Sequence, residues 1–92
     1  MTTVIVGAGL SGLYAAMRLT ERGEDVIVLE GRDRAGGRIR ADQMSPTGPK
    51  FDLGPTWFWP DHQHRIPKLL AALGLETFDQ WAVGDMVYEP QN

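Results

Sequence analysis

Cysteine is absent from these 92 residues, so the chain can build neither a disulfide framework nor a thiolate metal site. Positive charge is scarce. Nine Lys and Arg against twelve Asp and Glu leave a formal net charge of −3, and no basic cluster is set among aromatic residues. A nucleic-acid surface needs such a cluster, so nucleic acid is not expected as a partner. Long apolar runs are missing too. The opening stretch from Val4 to Leu10 is interrupted by Gly7 and Gly9 and lacks the basic region of a signal peptide. Nothing approaches the roughly 20 apolar residues of a membrane span. A cytoplasmic protein with no membrane partner is the expectation. The length allows at most one small domain, since domains most often run to roughly 100–150 residues. What the chain does have is glycine, 11 in all, and its placement carries the reading.

Thr3-Val4-Ile5-Val6 is a short β-branched run ended by glycine, as suits a buried parallel strand. Leu10, Leu13, Tyr14 and Met17 then fall at helical spacing, with Arg18, Glu21 and Arg22 toward the far side and Gly23 as the stop. Asp25 to Leu29 is a second apolar run. Strand, helix and strand make a βαβ unit across residues 2–38, the core of an α/β, Rossmann-like dinucleotide-binding domain. Glu30 to Gly37 reads as loop. Arg38 to Asp42 and Lys50 to Leu53 pair as a hairpin around Ser45-Pro46-Thr47-Gly48-Pro49. A second amphipathic helix carries Ile66, Leu69, Leu70 and Leu73 and ends at Gly74. Asp61 is its N-cap candidate, although Pro67 moves the start toward Arg65. Residues 39–76 thus append a hairpin, a turn and a helix to the βαβ unit. One or two short strands are expected between Thr77 and Tyr88.

Gly7-Ala8-Gly9-Leu10-Ser11-Gly12 spells G-x-G-x-x-G. The string alone is weak evidence, but here it follows a strand, opens a helix and precedes a second strand that ends in an acid. Gly7 permits the tight turn, Gly9 lets main chain approach a pyrophosphate, and Gly12 lets the helix pack closely on the sheet. Unpaired N–H groups and the dipole at the helix start then hold the anion. Ala16 is small where the helix meets the strands. Glu30, eighteen residues beyond Gly12, is placed to accept hydrogen bonds from both hydroxyls of a ribose. A 2′-phosphate there would meet like charge, which disfavours NADP. These residues address the ADP half that NAD and FAD share and do not choose between them.

The next segment makes the choice. Val26 to Leu29 followed by Glu30-Gly31-Arg32-Asp33-Arg34-Ala35-Gly36-Gly37-Arg38 resembles the flavin monoamine oxidases and their relatives, the L-amino-acid, polyamine and protoporphyrinogen oxidases. It departs mainly at Gly31, where that family usually has alanine. The likeness continues through Phe51-Asp52-Leu53-Gly54-Pro55-Thr56-Trp57 and the helix ending at Glu76, so it covers about positions 2 to 80. It implies that FAD is the cofactor, that Glu30 binds the adenosine ribose, and that Arg32 and Arg38 lie along the diphosphate and ribityl chain. It also implies that Gly36 and Gly37 let the backbone pass the flavin closely, and that Gly54, Pro55, Thr56 and Trp57 bring backbone groups to its ring. A guanidinium fork meets phosphate oxygens bidentately, which agrees with the two arginine assignments.

The activity the resemblance implies is oxidation of an amine to an imine, with hydrogen peroxide formed from dioxygen. In such enzymes the lysine near the flavin and the aromatic residues beside the amine come from far downstream. Lys50 and Lys68, the two lysines of this chain, do not match that context, so no catalytic residue is assigned and the catalytic remainder is expected to lie outside the chain. Residues 77–92 would begin the substrate-domain segment. The alternatives are a non-catalytic FAD-binding module or subunit fragment, and a related FAD oxidoreductase of desaturase or protoporphyrinogen oxidase type. Trp57, Phe58 and Trp59 suit either a flavin or substrate cavity or a core. His62 and His64 form an H-x-H without a third ligand and are read as a solvated helix start rather than a metal pair. Asp52 is read as a hydrogen-bonding residue of its turn. With so much of the fold elsewhere, one edge of the first strand is expected to lack its partner. The segment should then be marginal unless FAD, a second copy in a homodimer, or a further polypeptide completes it.

Overall fold

The first strand, β1 (Thr2–Val6), lies parallel to β2 (Asp25–Leu29) with Val4 opposite Ile27 and Val6 opposite Leu29. Between them runs helix α1 (Leu10–Glu21), packed on both strands. This is the expected βαβ unit, seen in a computed structural model that describes residues 1–90. The chain divides into two units, Met1–Trp57 and Phe58–Asn92. In the first unit a short antiparallel hairpin follows, β3 (Ala41–Gln43) against β4 (Lys50–Asp52), with Asp42 opposite Phe51. The hairpin is where the sequence puts it, although its first strand starts at Ala41 rather than Arg38. Asp52 stands opposite Ala41, and its carboxylate makes no hydrogen bond among the described residues, so it does not tie the turn as expected.

Both helices end as their glycines dictate. After α1, the Gly23 N–H donates to the Thr20 carbonyl and the Glu24 N–H to that of Leu19. In the second unit, α2 (Arg65–Ala72) closes with the same pair of bonds, Gly74 to Ala71 and Leu75 to Leu70. These nested bonds satisfy carbonyls that the last helical turn leaves free. Asp61 is not the N-cap of α2. Residues 59–63 form a separate turn, in which the Gln63 side-chain oxygen accepts from the Trp59 N–H at 2.9 Å and the Gln63 N–H donates back to the Trp59 carbonyl at 2.8 Å. The helix begins only at Arg65, which puts Pro67 in its first turn, where no N–H is required.

One expectation fails for want of a pairing partner. The tail 77–90 contains no strand among the described residues, and Phe78, Trp81, Met86, Val87 and Tyr88 are exposed along it. Strands need a partner to hold their backbone groups, and none is offered. Helix α1 meets the sheet through the face that Gly12 and Ala16 line, where the sequence places small residues. Gly12, Ala16 and Leu19 are half-buried on the sheet side, while Leu10, Leu13 and Tyr14 face away and stay exposed. Small residues win the sheet side because close approach of helix to strand needs them. The larger stripe is left as a second apolar face.

Among the described residues the sheet is covered on one side only. Thr3, Ile5, Val26 and Val28 are half-buried under α1, whereas Val4, Val6, Ile27 and Leu29 on the opposite face are exposed, Val6 to 85%. Among the described residues β1 pairs with β2 alone, so its other edge is open. Among the described residues only Ala8 is buried.

Candidate functional site

Ala8 owes its burial to the junction of two loops. Leaving β1, Gly7 turns with φ near +106°, a region glycine enters without a Cβ penalty, and its N–H donates to the Leu29 carbonyl at 2.7 Å. The Ala8 N–H then donates to Oε2 of Glu30 at 2.8 Å, and the Ala8 carbonyl accepts from the Gly36 N–H at 2.8 Å. Glu30, just past β2, holds its own loop as well, with Oε1 accepting from the Arg32 N–H at 3.0 Å. One carboxylate therefore joins the first glycine turn to the segment that follows β2. Gly36 lies beside Gly9 in a parallel bridge, and a Cβ on Gly37 would stand 3.2 Å from the Gly9 Cα. The glycines singled out in the sequence thus meet face to face across two loops.

Helix α1 starts at this junction without a side-chain cap. Gly9 is the N-cap residue, and the Leu13 N–H donates to its carbonyl at 3.0 Å. Leu10, Ser11 and Gly12, in the first turn, present N–H groups that no helical carbonyl can accept, next to the positive end of the helix dipole. Gly12 is needed for space: a Cβ there would run into the Gly7 carbonyl oxygen and stand 3.4 Å from the Ile5 side chain. Gly31 has nothing within 4 Å of a Cβ, so an alanine would fit there.

Of the three arginines between Glu30 and Ile39, Arg34 is half-buried and bonded to main chain, while Arg32 and Arg38 are exposed, and their guanidinium groups have no hydrogen-bond or ion-pair partner among the described residues. Gly54 is pressed on the Arg38–Arg40 backbone, where a Cβ would meet the Arg38 carbonyl oxygen and stand 3.1 Å from the Arg40 nitrogen. The Thr56 hydroxyl donates to the Gly54 carbonyl at 3.1 Å, and Pro55, Thr56 and Trp57 are exposed. The structure therefore brings Gly7–Gly12, Glu30–Arg32 and Gly36–Gly37 together and ties Gly54 to the segment that leads from Arg38 into β3. Trp57 and Trp59 are exposed to about 60%, so within this chain neither is core, while Phe58 is half-buried. No group of three or more His, Cys, Asp or Glu able to hold a metal occurs among the described residues.

Two features escaped the sequence. The N–H from Ala8 to Glu30 depends on the register of β1 against β2, which no motif spells out. The Arg34 bonds had a weaker signal: two consecutive glycines strip side chains from a turn whose carbonyls still need donors.

Electrostatics follow from these bonds. The Ala8 N–H first, then that of Arg32, hold the Glu30 carboxyl below its ordinary value of 4.5. The ionised form is favoured by the fold, so its contribution is complete above 4.5 and is lost as pH falls through the lower folded value. Melting curves of the wild type and Glu30→Gln over roughly pH 3 to 6 are expected to differ at the upper end and converge at the lower. A gap that stays constant across that range would show that the carboxylate charge is not what the two N–H groups read.

A parallel βαβ unit with an uncapped, glycine-lined helix start and an acid at the end of the second strand is the arrangement typical of dinucleotide-binding folds. Residues 10–90 match the family described as flavin-containing amine oxidoreductase, and the chain belongs to that family. Putrescine oxidase of Kocuria rosea is 42% identical over 85 residues, 92% of this chain and 17% of the relative. Flavin-containing amine oxidase B of Sus scrofa is 46% identical over 78 residues, 82% of this chain and 14% of the relative. Among solved structures, putrescine oxidase bound to putrescine superposes with a TM-score of 0.70 at 43% identity, covering 85% of this chain and 18% of that one. Cyclohexylamine oxidase from Brevibacterium oxydans gives 0.68 at 41%, covering 79% and 16%. The chain thus spans less than a fifth of the length of these relatives, and it is homologous to their N-terminal FAD-binding region.

Proposed function

We propose that this chain binds the ADP half of FAD at the junction of its glycine loops, as the cofactor-gripping part of a flavin-dependent amine oxidase. The observation that carries the reading is the placement of the Glu30 carboxylate 2.8 Å from the Ala8 nitrogen, beside the uncapped start of α1. A carboxylate has about four acceptor sites, so the two N–H bonds to Glu30 leave room for both hydroxyls of the adenosine ribose. The N–H groups of Leu10, Ser11 and Gly12 would take the diphosphate at the helix start. Arg32 and Arg38 carry guanidinium groups without protein partners among the described residues and are suited to flank its negative charge. Gly36 and Gly37 keep that path free of side chains, and Gly54 to Trp57 would approach the flavin ring.

Bound FAD supplies a two-electron oxidation, by which an amine becomes an imine and dioxygen becomes hydrogen peroxide. The residues of this chain bind and orient; none is assigned to the chemistry. Relatives named for putrescine and for cyclohexylamine match the same segment at 41–43% identity, which supports placing the choice of amine outside it.

Titration of the purified chain with FAD tests the reading. A flavin at roughly 1,000 times its dissociation constant adds about 4 kcal/mol to stability, so the melting temperature should rise clearly and an absorption band near 450 nm, typical of flavin, should remain after desalting. A chain that stays colourless and melts at the same temperature with FAD as without would remove the cofactor assignment.

A further inference from the structure

The guanidinium of Arg34 reaches into the turn that follows it. Nη2 donates to the Gly37 carbonyl at 2.8 Å, and Nη1 donates to the carbonyls of Ala35 and Ile39, each at 3.3 Å. The turn is one that side-chain-free backbone alone would hold poorly. Gly36 and Gly37 both have positive φ, +112° and +61°, and a Cβ on Gly36 would stand 2.7 Å from the Ile39 carbonyl oxygen. The same turn is what meets the first glycine loop, through the Gly36 N–H to the Ala8 carbonyl and the close approach of Gly37 to Gly9. Arg34 is half-buried where Arg32 and Arg38 are exposed.

We infer that Arg34 is a positioning residue: it clips the Gly36–Gly37 turn against Gly9 and so fixes the width of the cradle in which the diphosphate lies, without touching the cofactor. The inference rests on the FAD-binding reading above. Only a planar fork serves three carbonyls from one side chain; an ammonium is a compact point charge whose stem would have to choose among them. Charge is therefore the wrong property to keep, and Arg34→Lys should behave almost as badly as Arg34→Met.

The test uses the chain with FAD as the probe and amide hydrogen exchange as the second readout. In Arg34→Lys and Arg34→Met, the Gly36 N–H should exchange faster in the free chain, and FAD affinity should fall about tenfold, the size expected for losing hydrogen bonds from a charged donor. The melting temperature of the free chain should change little, because the βαβ packing does not pass through Arg34. Wild-type affinity in Arg34→Lys, or unchanged exchange at Gly36, would overturn the clip. So would an affinity loss that merely tracks a fall in melting temperature. A wild type that binds no FAD sinks the functional reading instead, and the exchange rate at Gly36 still reports whether the clip exists.

Discussion

Gly12→Ala is expected to lower the melting temperature of the chain and to weaken flavin binding together. Position 12 is in the first turn of α1, where alanine is intrinsically better than glycine by about 1 kcal/mol, so propensity alone predicts stabilisation. Space predicts the reverse. The new methyl would run into the Gly7 carbonyl oxygen and crowd the Gly7 carbonyl carbon at 3.1 Å, both main-chain atoms that cannot swing aside. Relief requires α1 to move off β1, which strips cover from Ile5. Overpacking of this kind costs about 1–3 kcal/mol, enough to outweigh the propensity gain and a large share of the margin of so small a fold. The helix start would shift with it, carrying the N–H groups of Leu10 and Ser11 away from the diphosphate. Gly31→Ala is the control, since its Cβ meets open space, and both properties should survive there. If Gly12→Ala proved as stable as the wild type and bound FAD equally, the close helix–strand contact would not be what positions the site.

The second large effect belongs to Glu30. Glu30→Gln keeps the shape of the side chain but sets an amide NH2 against one of two N–H donors, from Ala8 or from Arg32. It also removes the charge that two ribose hydroxyls would meet. Losing charge-assisted hydrogen bonds of this type should reduce FAD affinity by about tenfold to a hundredfold at neutral pH. Flavin fluorescence titration reads this directly, and riboflavin, which lacks the adenosine half, should show no difference between the two proteins. Equal affinity of Glu30→Gln and the wild type for FAD would leave Glu30 as a loop tie and nothing more.

The parts of the fold that could be read from residues are those set by local rules. A β-branched run ended by Gly7, helices ended by Gly23 and Gly74, and a turn centred on Pro46 to Pro49 each follow from the chemistry of a few neighbours. Other expectations fail in the structure. Asp61 has the chemistry of an N-cap, but the turn between Trp59 and Gln63 takes its place. The tail from Thr77 has strand-like residues and, among the described residues, no strand, because β structure is a property of pairs.

By itself, then, the sequence determined the βαβ order, the glycine turn and the acid at the end of β2, and with them the family to which the chain belongs. Tertiary structure alone decided that Glu30 reaches back to Ala8, that Arg34 serves main chain while its two neighbours do not, and that Val4, Val6, Ile27 and Leu29 are left uncovered. The reason is physical. Spacing along a chain fixes which groups a turn or helix presents, whereas the partner each group meets depends on strand register and on which face packs.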